Sequence, residues 1–296
     1  MNAARAEPSM QSTDSPHRPN ALVVGPMKSG TSWLYEYLKT RSDVALPSGV
    51  KETFFFDQRF DSKSLAWYLS HFEPPRDGNR IIEVAPTYFH GTDVPAHVKS
   101  CLGEIQLLVT LRDPAERAFS LFQHMRRYGF TRCDQFRDAV EAHPEMLESS
   151  RYASCLQRWM STFGADQVTV VFLDDLKNDP MAYAAQCCQG LGLEPPTDAN
   201  NFPDSVNVAT HPRSYHLARI GRGVGDLLRS VRLYWVVETA KSMGLKQLFF
   251  GKPQQHSERK QLSDADRRWF IEQLGDEITS VEQIVDRDLS KWKQVA

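Results

Sequence analysis

Ala21-Leu22-Val23-Val24-Gly25-Pro26-Met27-Lys28-Ser29-Gly30-Thr31-Ser32 is an apolar run that breaks into a glycine-bounded loop and then opens a helix. Ala21 to Val24 has the length and β-branched content of a buried strand, and Gly25 and Gly30 relax the backbone at the two ends of the loop. Between Trp33 and Lys39, Leu34, Tyr37 and Leu38 fall on one helical stripe. A strand, a tight turn and a helix start in that order leave several backbone N–H groups pointing at one spot, with the positive end of the helix dipole behind them. The stretch reads as a cradle for an anion.

The nucleoside triphosphate P-loop, G-x-x-x-x-G-K-[ST], has its Lys directly after the second Gly and a metal-binding hydroxyl next. Here Lys28 lies inside the loop, ahead of Gly30, and Thr31 stands where the P-loop has its Lys. The ammonium therefore reaches a different atom of the ligand, and a diphosphate-like group held without metal fits better than ATP with Mg²⁺. A P-loop nucleotide kinase or NTPase is the alternative; it would need Mg²⁺ and a Lys at position 31.

The chain has 296 residues, enough for one α/β domain with a full core. Residues 1–20 are polar and Pro/Ser-rich and read as a disordered lead-in, with one domain expected over 21–296. Lys and Arg number 35 against 37 Asp and Glu, so no overall basic character points to nucleic acid. The 5 cysteines include no C-x-x-C pair, which signals neither a disulfide framework nor a zinc site. With no apolar run near the ~20 residues that span a bilayer and no signal-peptide core, a cytoplasmic location is expected.

Val44 to Pro47 reads as a short second strand. In Lys51-Glu52-Thr53-Phe54-Phe55-Phe56-Asp57, three aromatic rings would carry Glu52 into a partly dry place, raising its pKa and making it a better base. Pairing of Glu52 with Lys51 or an Arg is the blander reading. Ile81 to Phe89 reads as a strand entering a Pro turn, and its Glu83 as a second carboxylate, catalytic or orienting Lys28 or an Arg. Ile105 to Leu111 is near-continuously apolar, as a doubly covered parallel strand should be. It ends in Arg112, and Asp113, Pro114 and Glu116 then supply the N-cap, N1 and N3 residues of a new helix. Ligands in open α/β sheets bind beyond the carboxyl ends of the strands, so Arg112 belongs on the same rim as the Gly25 loop. The helix is expected to continue through His124, Arg126, Arg127 and Tyr128 to Arg132 and Arg137, a basic run read by default as a solvated face. Tyr152, Leu156 and Trp159 share another helical stripe, Val168 to Leu173 is a further strand, and Asp174 and Asp175 fit a helix N-cap better than a magnesium site.

Gly25 to Ser32 resembles the 5′-phosphosulfate loop of sulfotransferases that use 3′-phosphoadenosine 5′-phosphosulfate (PAPS). The downstream texture is closest to heparan-sulfate-type and related bacterial carbohydrate sulfotransferases. The resemblance implies that Glu52, followed by the aromatic pair and Asp57, is the catalytic base. Phe54 stands where some relatives have His, and Val84 replaces a Lys in a segment similar to E-K-x-P-x-Y-F. Leu111 to Ser120 resembles the 3′-phosphate motif, which assigns that phosphate to Arg112 and Ser120. Tyr152 would contact the adenosine or the 3′-phosphate, and Asn207 to Ser214 resembles a segment of bacterial members. Glu258-Arg259-Lys260 would stand in for a closing K-G-[RK] loop, bringing Arg259 or Lys260 to the 3′-phosphate.

The fold so implied is α/β and P-loop-like, three layers around a central parallel sheet of about five strands. The activity so implied is sulfuryl transfer from PAPS to an acceptor hydroxyl, with PAP as product and no metal required. A saccharide is the first acceptor in line; a peptide tyrosine or a small hydroxyl metabolite is the alternative. Lys28 would neutralise the leaving phosphate, Glu52 and, in second place, Glu83 would be the catalytic carboxylates, and Ser29, Gly30, Thr31 and Ser32 would hold the 5′-phosphate. Leu217 to Phe250 reads as a helical lid, as simple packing or as a face that touches a membrane surface.

Overall fold

The computed structural model describes residues 18–74, 79–203 and 261–294. Its centre is a parallel sheet of 5 strands in the order β2-β3-β1-β4-β5. The strands are β1 (Ala21–Val23), β2 (Val44–Ala45), β3 (Arg80–Val84), β4 (Gln106–Leu111) and β5 (Val168–Phe172). β1 is in the middle, pairing with β3 on one side and β4 on the other. From β1 the chain passes to the edge strand β2, returns to fill in β3, then crosses β1 to build β4 and β5, so the connections leaving the neighbours β1 and β4 run in opposite directions. Such a switch point opens a crevice at the carboxyl ends of the strands.

Both faces of the sheet are dry, and the alternation along the strands shows why. Leu22, Val24, Leu107, Val109 and Leu111 enter one apolar cluster; Ala21, Val23, Ile82, Val84 and Leu108 enter the other. The helices α1 (Thr31–Lys39), α8 (Leu173–Asn178) and α9 (Pro180–Gly190) contribute Leu34, Tyr37, Leu176, Ala184 and Cys187 to the second cluster. The first is closed by α4 (Pro114–Tyr128), α7 (Tyr152–Phe163), α10 (Asp264–Leu274) and α11 (Glu277–Val285), through residues such as Leu121, Trp159, Phe270 and Val281. On the C-terminal helical stripe Phe270, Leu274, Ile278, Val281 and Trp292 are buried and Val285 is partly buried.

Residues ahead of Ala21, expected in the lead-in, are bonded to the fold: Asn20 bonds through its backbone to Ile81 and Gln106, and Arg18 Nη1 donates to the Cys101 carbonyl at 2.7 Å. The long basic helix stops at Tyr128, because Gly129 takes φ 70° and closes the end with bonds to the Arg126 and Met125 carbonyls. Arg137 therefore belongs to a separate helix, α5 (Phe136–Ala142), and pairs with Asp266 at 2.7 Å. Asp174 and Asp175 lie inside the first turn of α8 and are not its cap. Asp175 accepts a bidentate pair from Arg287 at 2.6 and 2.7 Å, while Asp179 caps α9.

Candidate active site

The loop between β1 and α1 holds a strained backbone. Lys28 has φ 74° and Gly30 φ 95°, both in the left-handed region, which glycine enters freely and lysine does not. Gly25 is required by close approach: a Cβ there would lie 2.4 Å from Thr110 N on β4. The loop is fastened from behind by Arg117, a fully buried guanidinium that donates to the carbonyls of Met27 and Met146 at 3.4 and 2.7 Å and to Ser150 Oγ. Burial lowers its pKa. A charge on the apolar stripe Pro114, Ala118, Leu121 and Met125 was the signal that could have marked Arg117 in the sequence.

α1 starts with neither a side-chain cap nor an acidic residue in its first turn, so its leading amides are offered to the loop. Ser29 is fully buried and its Oγ has no partner. Thr31 is buried beside it, and Ser32 Oγ accepts from Lys51 Nζ at 3.1 Å. An orphaned donor of this kind is what a bound anion would satisfy.

Cations converge on the same place. Burial first, then the charges of Arg127, Arg112 and Lys51, bring the Lys28 ammonium down to about 8. Burial, then Lys28, Arg127 and Lys51, push His124 down to about 4, so its ring is neutral at neutral pH. Residues from the first loop, the Lys51 segment, the tip of β4 and the far half of α4 thus share one field. Ser120, His124 and Arg127 recur at i, i+4 and i+7 and so lie along one face of α4. Arg112 leans on Glu116 at 3.3 Å, a half-exposed contact. Tyr152 is buried, and its hydroxyl donates to the Arg112 carbonyl at 2.9 Å. That makes it a residue that positions Arg112, with its one proton committed there; burial raises its pKa. The turn after Arg112 is also clamped, since Arg267 on α10 donates to both carboxylate oxygens of Asp113 at 3.1 and 2.5 Å.

The two carboxylates have separate places. Glu52 is largely buried and sits 3.9 Å from Lys51 Nζ, the same ammonium that reaches Ser32. Burial raises its pKa to about 7, against the Lys51 charge and with help from Glu83 and Asp57. The Lys51 pairing foreseen as the bland reading is present, but too loose to offset burial. Glu83 is fully buried, and it orients neither Lys28 nor an Arg. One oxygen accepts from Thr53 N and Oγ1 at 2.8 and 2.7 Å, the other from the Tyr68 hydroxyl at 3.0 Å, and the Tyr88 hydroxyl lies 3.4 Å away. With its oxygens filled it holds the residue after Glu52. Burial raises its pKa against these bonds. Phe54, at φ 54°, then turns the chain so that Phe55 and Phe56 enter the core. Val84 is buried in the second apolar cluster and brings nothing polar to the site.

Arg259, Lys260, the segment 207–214 and the stretch 217–250 lie outside the described residues. Among the described residues no group of three or more His, Cys, Asp or Glu is placed to hold a metal ion, and no helix is long and apolar enough to cross a membrane. Sequence reasoning passed over Lys51 and Arg127 as cations of the site; only their positions in the fold distinguish them from surface charge.

A five-stranded parallel sheet flanked by helices, its middle strand running into a cation-ringed loop and a helix start, is an α/β fold of the P-loop-like class. Within that class the chain belongs to the sulfotransferase domain family, which it matches over residues 18–206. It is 27% identical over 198 residues to bifunctional heparan sulfate N-deacetylase/N-sulfotransferase 4 of Mus musculus, covering 60% of this chain and 23% of that protein. The corresponding Drosophila melanogaster enzyme is 27% identical over 213 residues, covering 62% and 20%. The chain therefore spans only a fifth to a quarter of the length of these relatives. A sulfotransferase from Alicyclobacillus acidocaldarius has the same fold, with a TM-score of 0.64 at 20% identity over 94% of this chain and 99% of that one.

Proposed function

We propose that this protein transfers a sulfuryl group from PAPS to a hydroxyl or amino group of a saccharide. The observation that carries this reading is the convergence of Lys28, Lys51, Arg112 and Arg127 on a loop whose Ser29 hydroxyl lacks a partner and whose helix α1 starts without a side-chain cap. An anion with charge at two separated points suits that arrangement. The loop amides with Ser29, Gly30, Thr31 and Ser32 hold the 5′-phosphate end; Arg112, positioned by Tyr152, and Ser120 hold the 3′-phosphate. PAPS supplies an activated sulfonate on a good leaving group. Lys28 stays charged at neutral pH and offsets the negative charge that grows on the departing phosphate oxygen.

Glu52, raised to about 7, is poised to take the proton of the attacking acceptor. Glu83 holds the Thr53 amide and so the backbone of the base. The names of the heparan sulfate relatives favour a saccharide acceptor.

Calorimetric titration with PAP, beside ADP with and without Mg²⁺, tests the donor. Metal-independent PAP binding that weakens in Arg112→Ala supports the reading. Binding of ADP with Mg²⁺ in the absence of PAP binding sinks it in favour of a P-loop kinase or NTPase.

A further inference from the structure

Sulfuryl transfer as described gives no role to two cations of the site: Lys51, which is tied to Glu52 and Ser32, and Arg127. Arg127 is on the face of α4 that carries Ser120, about 10 Å farther along the helix. Its Nε is enclosed and has no hydrogen-bond partner. Arg126, next to it in the chain, turns outward to Asp134 at 2.8 Å. Glu116 is engaged with Arg112 and Glu52 with Lys51. Among the charges acting on the Lys28 ammonium, that of Arg127 is the largest. Two unpaired cations set close together in a partly dry site repel each other, and an arginine free to swing into water, as Arg126 does, would relieve that repulsion. Arg127 keeps its enclosed Nε without a partner and its charge within the field of Lys28, an arrangement that becomes attractive only with an anion between them.

We propose that Arg127 is a further catalytic residue, which with Lys28 holds the sulfonate oxygens while Arg112 and Ser120 hold the other end of the donor. The inference rests on the donor reading given above. The planar guanidinium fork matches two oxygens of a sulfonate as it matches two of a phosphate or carboxylate. During transfer, the bond from sulfur to the 5′-phosphate oxygen breaks as the bond to the acceptor atom forms. The electron pair stays on PAP, the acceptor proton goes to Glu52, and Arg127 exchanges neither.

The test needs no acceptor. PAPS and PAP differ by the sulfonate alone, so each is titrated calorimetrically into wild type, Arg127→Gln and Arg127→Lys. Arg127→Gln raises the PAPS dissociation constant ~10–100-fold, the worth of a charged hydrogen bond, and leaves that of PAP within roughly twofold; Arg127→Lys recovers part of the loss. Thermal melts confirm that the variants fold. Equal weakening of both ligands would make Arg127 a phosphate ligand and overturn the proposal, as would no weakening of either. Wild type that binds neither PAPS nor PAP removes the donor reading itself, so the two failures are told apart.

Discussion

The two flanks of β1 treat charge in opposite ways. On the β4 side, Arg112, Arg127 and Lys28 gather with too few carboxylates, and Ser29 has no partner. On the β3 side, Glu83 is a buried carboxylate with a donor on each oxygen, and every one of those donors belongs to the chain. The first flank leaves polar groups open; the second is complete in itself. The difference teaches how to separate binding from support: polar groups left open mark where the substrate goes, while polar groups filled mark what keeps the machinery still.

The comparison can be broken from either side. Replacing the base has the largest effect: Glu52→Gln lowers kcat ~10²–10⁴-fold while calorimetry finds PAP affinity kept. A wild-type profile of kcat/KM against pH should rise as Glu52 loses its proton through about 7 and fall as Lys28 loses its own through about 8. Arg127→Gln removes the strongest charge depressing Lys28, so the alkaline limb moves to higher pH. Glu83→Ala strands the Thr53, Tyr68 and Tyr88 donors, at roughly 1–3 kcal/mol each, and the melting temperature falls sharply. Arg112→Ala has the contrary signature, costing ~1.5–3 kcal/mol of PAP affinity with little change in melting. If Arg112→Ala unfolded the protein, or Glu83→Ala left melting untouched, the contrast between the flanks would be lost. The smallest effect is that of Tyr152→Phe, which frees the Arg112 carbonyl and weakens PAP by ~1 kcal/mol.

Much of the open flank was legible in the sequence, because its parts are local. Gly25, Lys28 and Gly30 lie in one loop, and Arg112, Asp113 and Ser120 in one strand-to-helix turn; short-range backbone rules suffice to read both. The five parallel strands announced themselves by apolar runs. The filled flank was harder. Glu83 meets Thr53, Tyr68 and Tyr88 only after three segments have packed, and no spacing encodes that meeting. Arg127 was hidden differently, since a basic run on a helix looks the same whether it faces water or a ligand. The end of α4 was a missed signal: Gly129 after a helical stripe is an ordinary stop, and reading past it merged Arg137 with a helix to which it does not belong.

The clamp from Arg267 to Asp113 sets an order of events during synthesis. The two residues are 154 apart in the chain, so the tip of β4 leaves the ribosome long before the arginine that steadies it. A nascent chain already carrying the glycine loop, Arg112 and Ser120 would display every motif of the site with the turn beneath it unfinished. A fragment cut ahead of Arg267 would be in the same condition, and a search by motif would not tell it from the working protein.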